Sequence, residues 1–127
     1  MFRILIVDDT KSIHTFVKYI LAKNNAIKTE SVFNGSEAIA CLKKDTSFDA
    51  ILLDWEMPLV NGPETLQALK RHGVSIPVIM MTTKNATTDI QMALNLGASE
   101  YIMKPFTEDI LLEKLNLVTG KDFTNAA

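Results

Sequence analysis

The chain has 127 residues, 47% of them apolar, and a formal charge of −2, so one compact domain with a buried core is expected. No stretch of Lys and Arg is dense enough to track a phosphate backbone, which argues against nucleic acid as a direct partner. The single cysteine, Cys41, cannot close an internal disulfide, Met1-Phe2-Arg3 does not open a signal peptide, and no apolar run approaches the roughly 20 residues that cross a bilayer; the expected address is the cytoplasm, away from membranes.

In chain order, Ile4 to Val7 is the first of five short apolar runs that read as strands, and Ile13, Phe16, Val17, Ile20 and Leu21 follow at helical spacing. Thr29 to Phe33 gives a second strand, followed by a shorter helical stripe of Ala38, Ile39 and Leu42. Ala50 to Leu53 is the third strand, and Pro63 suits the first turn of a helix carrying Leu66 and Leu69. Val78 to Met81 is the fourth, before a helix with Ile90, Ala93 and Leu94 that Gly97 stops. After Tyr101 to Met103, a last helix starts beyond Thr107, with Glu108 and Asp109 where its dipole favours anions, and runs through Leu111, Leu112, Leu115 and Val118.

The runs are mostly continuous rather than alternating, as in strands covered on both faces, so the sheet should be parallel. Right-handed crossovers then give an α/β fold: a doubly wound five-stranded sheet with five helices, of flavodoxin-like type if the strand order is 2-1-3-4-5. Residues 1–120 form the expected domain and 121–127 a short, loosely ordered tail.

Ligands of such sheets bind where loops leave the carboxyl ends of the strands. Those ends carry Asp8-Asp9, Asp54, Thr82-Thr83 and Lys104-Pro105. Three carboxylates in one pocket repel by roughly 4 kcal/mol per pair at ~4 Å and an effective dielectric near 20, so they take up protons or hold a cation. An all-oxygen set without His or Cys suits Mg²⁺ or Mn²⁺, and a cation among carboxylates suits phosphoryl transfer. Asp54, alone at its strand end, is the candidate nucleophile; Asp8 and Asp9 hold the metal, Lys104 counters charge and Thr82 bonds a phosphoryl oxygen.

Ile6-Val7-Asp8-Asp9, Asn34 to Ala38, Leu53 to Pro58, Asn61-Gly62, Pro77 to Thr82 and Gly97 to Phe106 occur in an order and spacing that together resemble the receiver domains of two-component response regulators, from Arg3 to about Val118. The resemblance implies phosphorylation of Asp54 by a sensor histidine kinase. It also implies Asp9, Asp54 and the Glu56 backbone carbonyl as direct metal ligands, Asp8 bound through water, and a cis peptide before Pro105. Asp54-Trp55 and Lys104 to Thr107 are most similar to the stand-alone chemotaxis receivers. For that group the resemblance implies a docking face on the fourth helix, fifth strand and fifth helix, with Ile90, Tyr101 and Lys114 at matching positions and a flagellar-motor switch as partner. Tyr101 is then also a switch that moves inward with Thr82. Glu56 and Lys84 depart from the chemotaxis pattern; their charges suit a pair across the pocket mouth that tunes phosphate lifetime towards water or a phosphatase. Thr83 stands where many receivers carry the smaller Ala.

Other readings compete at single residues. Tyr101 also reads as a half-buried strand residue, Lys114 as a helix-surface charge and Ile90 as a helix contact; Cys41 reads as a small helix filler and Trp55 as exposed or edge-packed. His14 and His72 read as surface residues, and Met57, Met80, Met81, Met92 and Met103 as packing. A haloacid-dehalogenase-type hydrolase would place its acidic pair last in the chain and carry a cap, and a dinucleotide-binding fold would need Gly-x-Gly-x-x-Gly after the first strand. A receiver-like module that is never phosphorylated, a phosphorelay intermediate, and a receiver cut from a longer regulator remain as alternatives.

Overall fold

The protein is described by a computed structural model over residues 1–123. Strands and helices alternate as β1 (Phe2–Val7), α1 (Lys11–Leu21), β2 (Ile27–Val32), α2 (Gly35–Lys44), β3 (Ala50–Asp54), α3 (Gly62–Arg71), β4 (Val78–Thr82), α4 (Thr87–Asn95), β5 (Glu100–Met103) and α5 (Glu108–Thr119). All neighbouring strands are parallel, in the order β2-β1-β3-β4-β5, which is the flavodoxin-like α/β order read from the sequence.

The two faces of the sheet split the core. Leu5, Val7, Ile51, Leu53, Val78 and Met80 point to one side and pack with Ala38 and Leu42 of α2, Leu66 and Leu69 of α3 and Ala93 of α4. Ile4, Ile6, Leu52, Ile79, Met81 and Ile102 point to the other, against Val17, Ile20 and Leu21 of α1 and Leu111 and Leu115 of α5. Every residue of β3 and β4 is buried, which is why these strands read as unbroken apolar runs. β2 begins at Ile27, two residues earlier than its apolar run, because this edge strand alternates exposed Lys28 and Glu30 with inward residues.

Helix starts follow local chemistry. Asn34 accepts from the Glu37 N–H to cap α2, Asn61 and Glu64 form a reciprocal capping box with Pro63 inside the first turn of α3, and Thr107 caps α5. The capping box fixes the start of α3 beside the end of β3: a Cβ at Gly62 would collide with the Asp54 carbonyl and lie 2.8 Å from Trp55 Cα.

Several expectations are corrected. His14 is 4% exposed and Trp55 5%, whereas Phe16 and Leu94 are exposed. On α1 the buried face runs through His14, Val17 and Leu21, which turns Phe16 outward. Trp55 is buried because its N–H bonds the Met81 carbonyl and carries the β3–β4 ladder one residue past the strand. Met57, Met80 and Met81 are core, but Met92 and Met103 face solvent. The expected loose tail starts ordered: Phe123 is buried, meets the Phe2 ring edge-on at 5.1 Å and is tied by its N–H to Asn116; residues 124–127 lie outside the described residues. Among the described residues, no helix is long and apolar enough to cross a membrane.

Candidate functional site

The strand register brings the predicted residues to one rim. Val7 pairs with Leu53 across β1 and β3, so Asp8 and Asp54 stand side by side at the strand ends. Thr82 closes β4 next to them, and the Lys104 N–H bonds the Thr82 carbonyl at 2.8 Å. The Lys104-Pro105 peptide is cis. One carboxylate oxygen from each of Asp8, Asp9 and Asp54 lies within 4.8 Å of the others. Lys104 Nζ donates to Asp8 Oδ2 and to Asp54 Oδ1, both at 2.8 Å.

The charges do not balance. Asp8 and Asp54 are buried, Asp9 is exposed, and one ammonium faces three carboxylates. Burial pushes the Asp54 carboxyl from 3.8 up to about 6; the bond from Lys104 pulls it back in part, and Asp8 and Asp9 add to the rise. Burial draws the Lys104 ammonium down, but its bonds to Asp54 and Asp8 more than offset this and hold it above its ordinary value. Lys104 therefore stays a cation and neither gives up nor takes a proton at neutral pH. The carboxylate oxygens, the surplus negative charge and the solvent-facing Asp9 fit a hard divalent cation such as Mg²⁺ or Mn²⁺.

Around this centre, Thr82 is buried and its Oγ1 accepts from the Lys84 N–H at 2.9 Å; a hydroxyl that accepts still has a hydrogen to give. Tyr101 is buried, and among the described residues its hydroxyl has no hydrogen-bond partner. Burial pushes the phenol up, and the neighbouring Thr82 side chain draws it partly back without reaching bonding geometry. Glu56 and Lys84 do meet, Nζ to Oε1 at 3.4 Å, with the ammonium 5.8 Å from the centre of the Trp55 ring. Thr83 faces solvent.

The other two expected partner residues make contacts of their own. Ile90 packs half-buried on the core, and Lys114 Nζ bonds Glu100 Oε1 at 3.1 Å. His72 is exposed at the end of α3, and Cys41 packs half-buried on α2, where burial pushes its thiol up.

Two features of the rim escape the sequence reading. His14 bonds the Asp8 backbone carbonyl through Nε2 at 2.7 Å and Ser31 Oγ through Nδ1 at 2.8 Å; its signal was its place on the face shared with Val17 and Leu21. Leu59 is fully exposed with φ +69°, at the apex of a turn in which the Val60 N–H bonds the Pro58 carbonyl at 2.8 Å. No glycine or asparagine marks it.

This is the architecture of a phosphoacceptor switch, and the chain belongs to the response regulator receiver domain family, whose description matches residues 4–116. Receiver domains bind Mg²⁺ at an acidic pocket, take phosphoryl groups from histidine kinases and act on effectors. A chemotaxis protein CheY homolog of Campylobacter jejuni is 32% identical over 93% of this chain and 92% of its own length. The response regulator SaeR of Staphylococcus aureus is 36% identical over 94% of this chain, which spans 51% of that protein. The solved structure of chemotaxis protein CheY4 of Vibrio cholerae superimposes with a TM-score of 0.85 at 32% identity, covering 93% of this chain and 98% of that one.

Proposed function

We propose that the chain is a single-domain response regulator: a phosphoryl group passes from a sensor histidine kinase to Asp54, and the face made by α4, β5 and α5 then exchanges partners, in cytoplasmic chemotaxis or motility signalling. The observation that carries this reading is Lys104 Nζ, held 2.8 Å from both Asp54 and Asp8 inside the carboxylate cluster. An ionised Asp54 oxygen attacks phosphorus as the bond to the kinase's histidine nitrogen breaks, and that nitrogen keeps the electron pair. Lys104 offsets the added negative charge, and the Thr82 hydroxyl donates to a phosphoryl oxygen. Asp9, Asp54 and the Glu56 carbonyl would hold the divalent cation directly, with Asp8 acting through water. When bound, the cation supplies neutralisation of the phosphoryl oxygens. The chain catalyses only its own phosphorylation and dephosphorylation.

Intact mass after Mg²⁺ and acetyl phosphate tests the core of this reading. A labile gain of one phosphoryl group is expected, and it disappears in Asp54→Ala; a wild-type chain that gains nothing removes the proposal. Glu56 and Lys84 act as a gate on phosphate lifetime, supported by their 3.4 Å approach beside the mouth. Equal phosphate half-lives in wild type and Lys84→Ala would discard that role.

Ile90, Tyr101 and Lys114 form the output surface towards a flagellar-motor switch or another effector. Capture of a motor protein only with a stable phosphoryl mimic supports the chemotaxis assignment, and capture of a histidine phosphotransfer protein supports a phosphorelay instead. The second reading, a receiver cut from a longer regulator, is favoured by the SaeR relative, of which this chain spans 51%.

A further inference from the structure

We propose that His14 is a positioning residue for the cation-binding carboxylates: by holding the Asp8 carbonyl it fixes the peptide joining Asp8 to Asp9, and so sets the direction of the Asp9 carboxylate. The inference rests on the cation reading given above and names a residue outside the acidic cluster on which that site depends.

The argument starts from Asp9 itself. Its carboxylate is exposed, so no packing aims it, and its contact with Thr10 Oγ1 is long at 3.5 Å. Only the main chain on either side can direct it. The peptide before Asp9 contains the Asp8 carbonyl, which accepts from His14 Nε2 at 2.7 Å. The peptide after Asp9 contains the Thr10 N–H, which donates to Asp8 Oδ1 at 2.8 Å. Asp9 therefore sits between two pinned peptide planes, one held by His14 and the other by the neighbouring acid.

The His14 ring is itself fixed. A carbonyl oxygen only accepts, so Nε2 carries a hydrogen; the Ser31 hydroxyl on β2 meets Nδ1 at 2.8 Å and can donate or accept as the ring requires. The Phe33 ring flanks the imidazole at 4.3 Å between centroids, and the side chain is 4% exposed. A buried histidine that only filled α1 would need a partner, but not one in the single peptide that joins Asp8 to the cation ligand Asp9. Pre-setting that peptide spares the cation the ordering of Asp9, which is how outer-shell partners raise metal affinity.

The test is Mg²⁺ titration of the full chain, read by calorimetry and by the fluorescence of Trp55, alongside thermal unfolding in EDTA. His14→Phe keeps an aromatic ring beside Phe33 but loses both nitrogens, and Mg²⁺ affinity is expected to fall about tenfold, the low end for loss of an outer-shell partner. His14→Gln retains a donor for the carbonyl and recovers most of that loss. Ser31→Ala leaves the imidazole in place without its anchor and falls between the two; it carries the test if His14→Phe fails to fold. Unchanged Mg²⁺ affinity across the folded variants, with only the unfolding temperature lowered, overturns the proposal. A wild-type chain that binds no Mg²⁺ overturns the cation reading as well, so the two failures are told apart.

Discussion

The two ends of the sheet each gather acidic side chains around one cationic residue, and the environments drive Asp45 at one end and Asp54 at the other in opposite directions. At the amino ends of the strands, the Arg3 guanidinium bonds Glu30 Oε1 at 2.6 Å and Asp45 Oδ2 at 2.9 Å, reaches Ser47, and lies over the Phe48 ring at 4.2 Å; its backbone N–H bonds Asp49 Oδ2. Bonds from Ser47 and then from Arg3 hold the Asp45 carboxyl down at about 2. At the carboxyl ends, Asp54 is pushed up to about 6. A many-donor fork at a wet surface satisfies the acids it collects, whereas a lone ammonium in a dry pocket leaves a surplus. The first arrangement ties β1 to its neighbours; the second keeps a deficit that a divalent cation can fill.

Removing the ammonium that bonds both buried carboxylates at the deficient end should have the largest effect. Lys104→Met strands two buried carboxylates and is expected to cost about 3 kcal/mol at neutral pH. Urea unfolding in EDTA and in Mg²⁺ checks this, since the cation should restore most of the loss; no loss in EDTA would mean that the surplus charge is not felt.

Asp54→Asn should act the other way and sharpen the contrast. The native Asp54 carboxyl, near 6, binds its proton more tightly than in the unfolded chain, near 3.8. Between those values the native state holds more protons, so stability falls as pH rises through that window. The metal-free Asn variant should therefore exceed wild type by up to about 3 kcal/mol at pH 7 and by little at pH 4. Asp45→Asn is expected to destabilise at neutral pH, with its deficit shrinking as pH falls from 3.8 towards 2, where wild-type Asp45 also loses its charge. Paired urea titrations that gave both variants the same sign would break the comparison.

Leu59→Gly relieves a left-handed backbone without removing packing, because the side chain is fully exposed. A gain of up to ~1 kcal/mol is expected after the flexibility of glycine is set against the relief. A fall in the chemical-denaturation midpoint would show that the turn is not strained. Smallest of all, Lys84→Ala should shift stability by less than about 0.5 kcal/mol, since its pair with Glu56 is solvent-exposed. A larger thermal shift would mean that the pair braces the loop after β4.

Much of this was legible before the fold was known, and the boundary has physical reasons. Asp8, Asp9, Asp54, Thr82 and Lys104 were readable because parallel topology sends every strand end to one rim, so placing the strands places the residues that follow them. His14 was missed because its type suggests solvent, although its spacing to Val17 and Leu21 put it on the buried stripe of α1. Trp55 was misplaced because a ladder bond to Met81 continues beyond the strand, and nothing local encodes that bond. The order of Phe123 depends on Phe2 and Asn116, partners distant in the chain or a helix turn away. Pairings that cross the fold leave no period to read.

Gly62 gives α3 an unusual footing. Its N–H bonds the Trp55 carbonyl at 2.8 Å, and no side-chain atom of its own separates it from the main chain of Asp54. The helix thus bears on the backbone of the acceptor like a strut on bare stone. A shift in that backbone would be handed to α3 by hard contact, with no rotamer to absorb it, and a larger residue at this position would prise the helix off its seat.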